Sequence, residues 1–207
     1  MKLIVISNPT NLNNEHSLLC SLFESGLEYF HLRKPDLTYA ELEAYIQLIP
    51  QQYKSKVILH SRHQLAVQYG LKGIHFTQVN PYKEQDGSPK EMHRSASFHS
   101  LQEIENANPI FQYVFISPVF DSISKAGYKT QINKNDLKSF LLPKSNKPAI
   151  IALGGINQQT LHDAIQIGFD GAAVLGSVWM ADNPLEAFKN LLRITSSANV
   201  IKKNIHV

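Results

Sequence analysis

Ala152-Leu153-Gly154-Gly155-Ile156-Asn157 and Gly171-Ala172-Ala173-Val174-Leu175-Gly176-Ser177 decide how this chain folds. Each stretch contains or follows an apolar run of strand character, and each leads into a helical pattern. One strand–helix–strand unit separates them. Glycine where a strand gives way to a helix lets an anionic group approach bare backbone N–H groups, and the helix N-terminus adds partial positive charge. A single turn of that kind reads equally well as a tight turn and nothing more. Two in tandem point to a phosphate site.

Working outward, the same alternation runs through the whole chain. The sequence predicts strands at Lys2–Ile6, Glu28–Leu32, Lys56–Leu59, Gly73–Phe76, His93–Phe98, Gln112–Ile116, Ala149–Leu153 and Asp170–Leu175. Between and after them, helical patterns cover Glu15–Ser25, Tyr39–Leu48, Arg62–Tyr69, Ser100–Asn106, Asn135–Leu141, Gln158–Ile167 and Pro184–Leu192. Strands separated by helices or long crossovers pair in parallel through right-handed connections. The count of eight, with the anion-accepting turns after the last two, predicts a single-domain α/β fold. It is a closed (β/α)8 TIM barrel over residues 1–196 and not an open doubly wound sheet. Residues 197–207 are expected to fray or to lie across the surface.

Composition narrows the function classes. The 207 residues are 43% hydrophobic, as in an ordinary globular domain. Cys20 is the only cysteine, which excludes an intramolecular disulfide and a thiolate zinc site and favours the cytoplasm. The apolar start Leu3-Ile4-Val5-Ile6 is too short for a signal peptide or a membrane span. A net charge of +3 with no Lys/Arg cluster gives no reason to expect a nucleic-acid partner. A local basic site for an acidic metabolite stays open.

In a barrel of this kind, chemistry sits where strands end and the following loops begin. The period of two places Phe30 and Leu32 toward the helices, which turns His31 and Arg33 into the mouth. By the same parity His75 and Thr77 face inward after the fourth strand, and Ser95, Ser97 and His99 along and after the fifth. The third strand ends in His60-Ser61. Lys34 and Lys125 join them, making a cationic, proton-exchanging rim. A lone inward histidine is more often a hydrogen-bonded structural residue, but four at strand ends point to ligand contact. Imidazole suits zinc, yet the chain has no HxH or HxxxH spacing to support that reading.

His31-Leu32-Arg33, Gly73-Ile74-His75-Phe76, Ser97-Phe98-His99-Ser100, Ser117-Pro118-Val119-Phe120, Leu153-Gly154-Gly155-Ile156 and Gly171-Ala172-Ala173-Val174 stand in fixed order along the chain. In that order and spacing they resemble the markers of the thiamine-phosphate synthase/TenI family from about residue 2 to residue 195. The resemblance implies an oligomeric barrel, usually a homodimer, acting on a phosphorylated pyrimidine and a phosphorylated thiazole. Its leading activity joins hydroxymethylpyrimidine pyrophosphate to thiazole phosphate, releasing pyrophosphate through a stabilised pyrimidine cation. Position by position, Arg33 matches the family's strand-two arginine and Ser97 its strand-five serine. Ser122 and Lys125 match the Thr-x-x-Lys of the loop after strand six. Gly154, Gly155, Leu175 and Gly176 match the cradle for the thiazole phosphate. The family's strand-two glutamine is His31 here, and its second basic residue is Pro35, with Lys34 beside it. Taken together, the strand-end reading and the resemblance put catalysis on Arg33, Lys125, His31 and His60, and substrate contacts on Lys34, Ser97, His99, Ser122 and the cradle.

The resemblance also implies Mg²⁺, and here the chain departs from the pattern. Family synthases carry Asn-Asp where this chain has His60-Ser61, and an aspartate within what is Thr77-Gln78-Val79-Asn80 here. A hard Mg²⁺ ion normally takes one or two carboxylates besides substrate phosphate. Basic side chains could neutralise a leaving pyrophosphate in their stead. Two other functions stay open at this point. One is a TenI-like thiazole phosphate isomerase, although Pro118 stands where those relatives carry their histidine. The other is a non-catalytic protein that binds thiazole or thiamine phosphate.

Overall fold

Eight strands close in chain order into one parallel barrel: β1 (Lys2–Ile6), β2 (Phe30–Leu32), β3 (Val57–Leu59), β4 (Gly73–Phe76), β5 (His93–Phe98), β6 (Tyr113–Ile116), β7 (Ala149–Leu153) and β8 (Gly171–Val174), with β8 paired back to β1. The computed structural model describes residues 1–83, 87–107, 110–121, 133–142 and 148–205. Helices α1 (Glu15–Glu24), α2 (Tyr39–Gln47), α3 (Gln51–Lys54), α4 (Gln64–Gln68), α5 (Leu101–Glu105), α6 (Lys134–Leu141), α7 (Gln158–Ile167), α8 (Gly176–Trp179) and α9 (Pro184–Ile205) complete the described fold. The expected TIM barrel is the observed one. No helix among the described residues is long and apolar enough to cross a membrane.

The period of two divides the core into two layers. Leu3, Val5, Phe30, Leu32, Val57, Leu59, Ile74, Phe76, Val114 and Ile116 point outward and pack under the helices. Ile4, Ile6, Ile58, Tyr113, Phe115, Ile151 and Ala173 fill the barrel interior. β2, β4 and β5 break the apolar filling, because their inward positions are His31, His75 and Ser95, all three fully buried. Such polar groups must find partners inside the barrel. Side-chain caps fix where several helices begin: Thr38 with Glu41 at α2, Ser100 with Glu103 at α5, and Asn157 with Thr160 at α7.

Two departures from the sequence reading have plain causes. The helix expected to stop near Leu192 continues as α9 to Ile205. Phe188, Leu191, Thr195 and Ala198 are buried at helical spacing, so the stripe that docks α9 runs past the expected end. The one-turn helices α3 and α8 are too short to leave a periodic pattern.

Candidate active site at the barrel mouth

β7 and β8 end in the two glycine turns. Gly154 and Gly155 sit at φ +95° and +65°, a region that favours glycine. A Cβ on Gly155 would lie 2.5 Å from the Asp121 carbonyl oxygen, and one on Gly154 would lie 3.0 Å from Pro118 Cα. The Val119 N–H donates to the Leu153 carbonyl at 3.0 Å and that of Phe120 to Gly154 at 3.2 Å, so the loop after β6 is zipped onto the β7 turn. After β8, Leu175 caps α8, whose first residues are Gly176 and Ser177. The first N–H groups of a helix have no partner within it. The Ser177 hydroxyl beside them is buried without a hydrogen-bond partner among the described residues. Ser177 stands in the second glycine motif, but an orphaned hydroxyl is visible only in three dimensions.

At the end of β2 the backbone of Arg33 is clamped by Ser7, which follows β1. The Arg33 N–H donates to Ser7 Oγ at 2.8 Å, and Ser7 Oγ donates to the Arg33 carbonyl at 2.9 Å. The guanidinium-bearing residue is exposed at the mouth. Lys34 is not part of an open rim. Its side chain has 0% exposure, and Nζ donates to Glu15 Oε2 at 2.6 Å and to the Thr10 carbonyl at 2.8 Å. Tyr45 donates to the other Glu15 oxygen at 2.9 Å, closing the triad. Burial lowers the Lys34 pKa, and the Glu15 carboxylate opposes that drop.

The histidines stand in two settings. His99 is exposed and its Nδ1–H donates to the Ser117 carbonyl at 2.9 Å. His31, His60 and His75 lie together at the floor of the mouth. His31 Nδ1 is 2.8 Å from His60 Nε2, and His31 Nε2 is 2.5 Å from the Tyr113 hydroxyl. His75 Nδ1 meets Ser95 Oγ at 2.8 Å, and its Nε2 meets Ser97 Oγ at 2.7 Å. Burial pushes the pKa of all three well below the ordinary histidine value, and neighbouring positive charge adds to the push. They are neutral near pH 7. The cationic rim is therefore corrected: His31 and His60 supply hydrogen-bonding nitrogens and no charge, and Lys34 is spent on Glu15. Among the described cations of that rim, Arg33 is the exposed one. Ser122 and Lys125 lie outside the described residues.

The positions that the resemblance gives to Mg²⁺ do not suit that ion. The Thr77–Asn80 segment closes on itself through paired backbone bonds of 3.0 and 3.1 Å, and Asn80 Nδ2 reaches the His60 carbonyl at 3.5 Å. With Ser61 beside them, these positions offer amide, hydroxyl and imidazole groups and no carboxylate.

Residues 3–178 match the family model described as thiamine monophosphate synthase, TMP-TENI. The chain belongs to the thiamine monophosphate synthase family. A solved thiamine phosphate pyrophosphorylase from Bacteroides thetaiotaomicron is 32% identical, with a TM-score of 0.81 over 95% of this chain and 98% of that one. Among curated relatives, thiamine-phosphate synthase from Leptospira biflexa is 27% identical over 195 residues, covering 89% of this chain and 92% of its own. That from Methanobrevibacter smithii is 26% identical, covering 96% and 97%. The family match runs from Leu3 in β1 to Val178 in α8, so it spans the barrel nearly from end to end.

Proposed function

We propose that this protein is a thiamine-phosphate synthase, joining hydroxymethylpyrimidine pyrophosphate to thiazole phosphate and releasing pyrophosphate. The observation that carries the reading is near full-length agreement with proteins of that name, on a barrel whose last two turns present backbone N–H groups at one mouth. In the reaction the bond between the pyrimidine methylene carbon and the pyrophosphate oxygen breaks, and its electron pair leaves with pyrophosphate. The thiazole nitrogen then donates its lone pair to the methylene carbon, giving the thiazolium product.

The residues divide this work by charge. Arg33, exposed and held by Ser7, takes the departing pyrophosphate, where charge-assisted hydrogen bonds are strongest. The Gly154–Gly155 turn, Leu175 and Gly176 hold the thiazole phosphate, with the unpartnered Ser177 hydroxyl as a further donor. Ser97 and His99 line the space between, and Ser122 and Lys125 act from the loop after β6. His31 and His60 shape the floor as neutral groups. Restriction to the cytoplasm and assembly as a homo-oligomer belong to the same proposal, supported by the lone cysteine and by the family resemblance.

The test is incubation of the purified protein with both substrates, in Mg²⁺ and in EDTA, with chromatography of the products. Thiamine phosphate and pyrophosphate are expected in equal amounts, and only when both substrates are present. Bound thiazole phosphate without product would replace this reading with an isomerase or a binding protein.

A further inference from the structure

We propose that His31, His60 and His75 form a site for a borderline divalent transition-metal ion of the zinc class, each imidazole giving one nitrogen. The three come from consecutive neighbours in the barrel: His31 within β2, His60 directly after β3 and His75 within β4. Parallel pairing brings them to one layer at the floor of the mouth. One nitrogen from each lies within 4.8 Å of the other two. Nitrogen donors at about 2.0–2.1 Å from one ion stand roughly 3.4 Å apart in a tetrahedron. The cluster is therefore somewhat wider than a loaded site at its widest pair and tighter at the 2.8 Å His31–His60 contact. The His60 and His75 rings are stacked with centroids 4.2 Å apart, so side-chain rotation of one of them accompanies binding.

The surroundings are those of ligands and not only of buried polar residues. A metal-bound histidine almost always gives its second nitrogen to an outer partner that fixes its orientation. His31 has Tyr113 in that place and His75 has Ser95 or Ser97. His60 is the member whose hydrogen bonding does not close. Its Nδ1 is buried and has no partner among the described residues, while its Nε2 shares a single proton with His31. With Tyr113 kept on Nε2, His31 meets the ion through Nδ1, so binding replaces the His31–His60 hydrogen bond with a metal–nitrogen bond at each ring.

Donor chemistry settles the class of ion. Three imidazoles with no carboxylate suit zinc, copper or nickel, whereas Mg²⁺ takes oxygen ligands. The same chain that lacks carboxylates at the positions the resemblance gives to Mg²⁺ has placed a histidine at one of them, His60. Three protein ligands leave a coordination position for an oxygen of a phosphate or pyrophosphate group. The site does not depend on the synthase reading, since metal binding is measured without substrate.

The full chain, stripped with a chelator and dialysed, is titrated with Co²⁺, then with Zn²⁺, and in parallel with Mg²⁺. One equivalent of Co²⁺ is expected to give the intense visible bands of a tetrahedral site, which Zn²⁺ then bleaches and Mg²⁺ does not. His31→Gln and His60→Asn are expected to remove the bands and weaken Zn²⁺ at least a hundredfold, and Tyr113→Phe to weaken it roughly 10–100-fold. A wild-type titration that yields only the pale spectrum of six-coordinate cobalt overturns the proposal, whatever the variants do. So do tetrahedral bands that persist in both histidine variants when circular dichroism shows them folded.

Discussion

His31 Nδ1 and His60 Nε2 meet at 2.8 Å inside the barrel, and the far nitrogen of His31 meets Tyr113 at 2.5 Å. Two imidazoles and a phenol thus bond one another where a barrel ordinarily packs branched aliphatic chains. Tyr113 stabilises the pair, because His31 is fully buried and its Nε2 meets the Tyr113 hydroxyl. Tyr113→Phe keeps the ring contacts and leaves His31 Nε2 unpaired. The expected loss is about 1–3 kcal/mol in denaturant unfolding, with the slope unchanged.

Lys34 and Glu15 form a buried pair whose removal is asymmetric. Lys34→Met leaves the Glu15 carboxylate buried with Tyr45 as its main remaining partner, and the expected cost is about 3–5 kcal/mol. Adding Glu15→Leu is expected to recover most of that loss. Equal destabilisation in the single and double variants would show that packing, and not charge, is at stake.

Arg33 is exposed, so its side chain contributes little to folding. Arg33→Ala is expected to leave the melting temperature within a few degrees of wild type and to lower turnover about a hundredfold or more. Ser7→Ala frees the Arg33 backbone while keeping its charge, and a smaller loss of turnover is expected.

His93 carries the acid sensitivity that can be isolated. Burial, with Lys72 and Lys2 nearby, pushes its pKa to about 4 from an ordinary 6.5. Below about pH 6.5 the unfolded chain binds a proton here that the folded chain refuses, so stability is lost as pH falls toward the folded value. His93→Gln is expected to flatten that loss by on the order of 1.4 kcal/mol per pH unit, read from unfolding midpoints across the window. Identical pH slopes for variant and wild type would contradict the shift.

Most of the barrel was legible because its strands alternate. Apolar periodicity and turn residues bound Gly73–Phe76, His93–Phe98 and Ala149–Leu153, and parity turns His31 and His75 inward. What parity does not give is depth or partner. The sequence joins His31 and Lys34 to one charged rim, but Tyr113 is 82 positions from His31 and Glu15 is 19 from Lys34. Those partners come from other elements, and they decide that one group is neutral and the other is paired. The clamp of Ser7 on Arg33 was hidden for the same reason.

The coupling reaction is read by mass spectrometry of thiamine phosphate formed from the two phosphorylated substrates by wild type and by Arg33→Ala. Product is expected with wild type, dependent on both substrates, with a loss of about a hundredfold in the variant. No product from the folded wild type, or equal rates for the two proteins, would contradict that expectation.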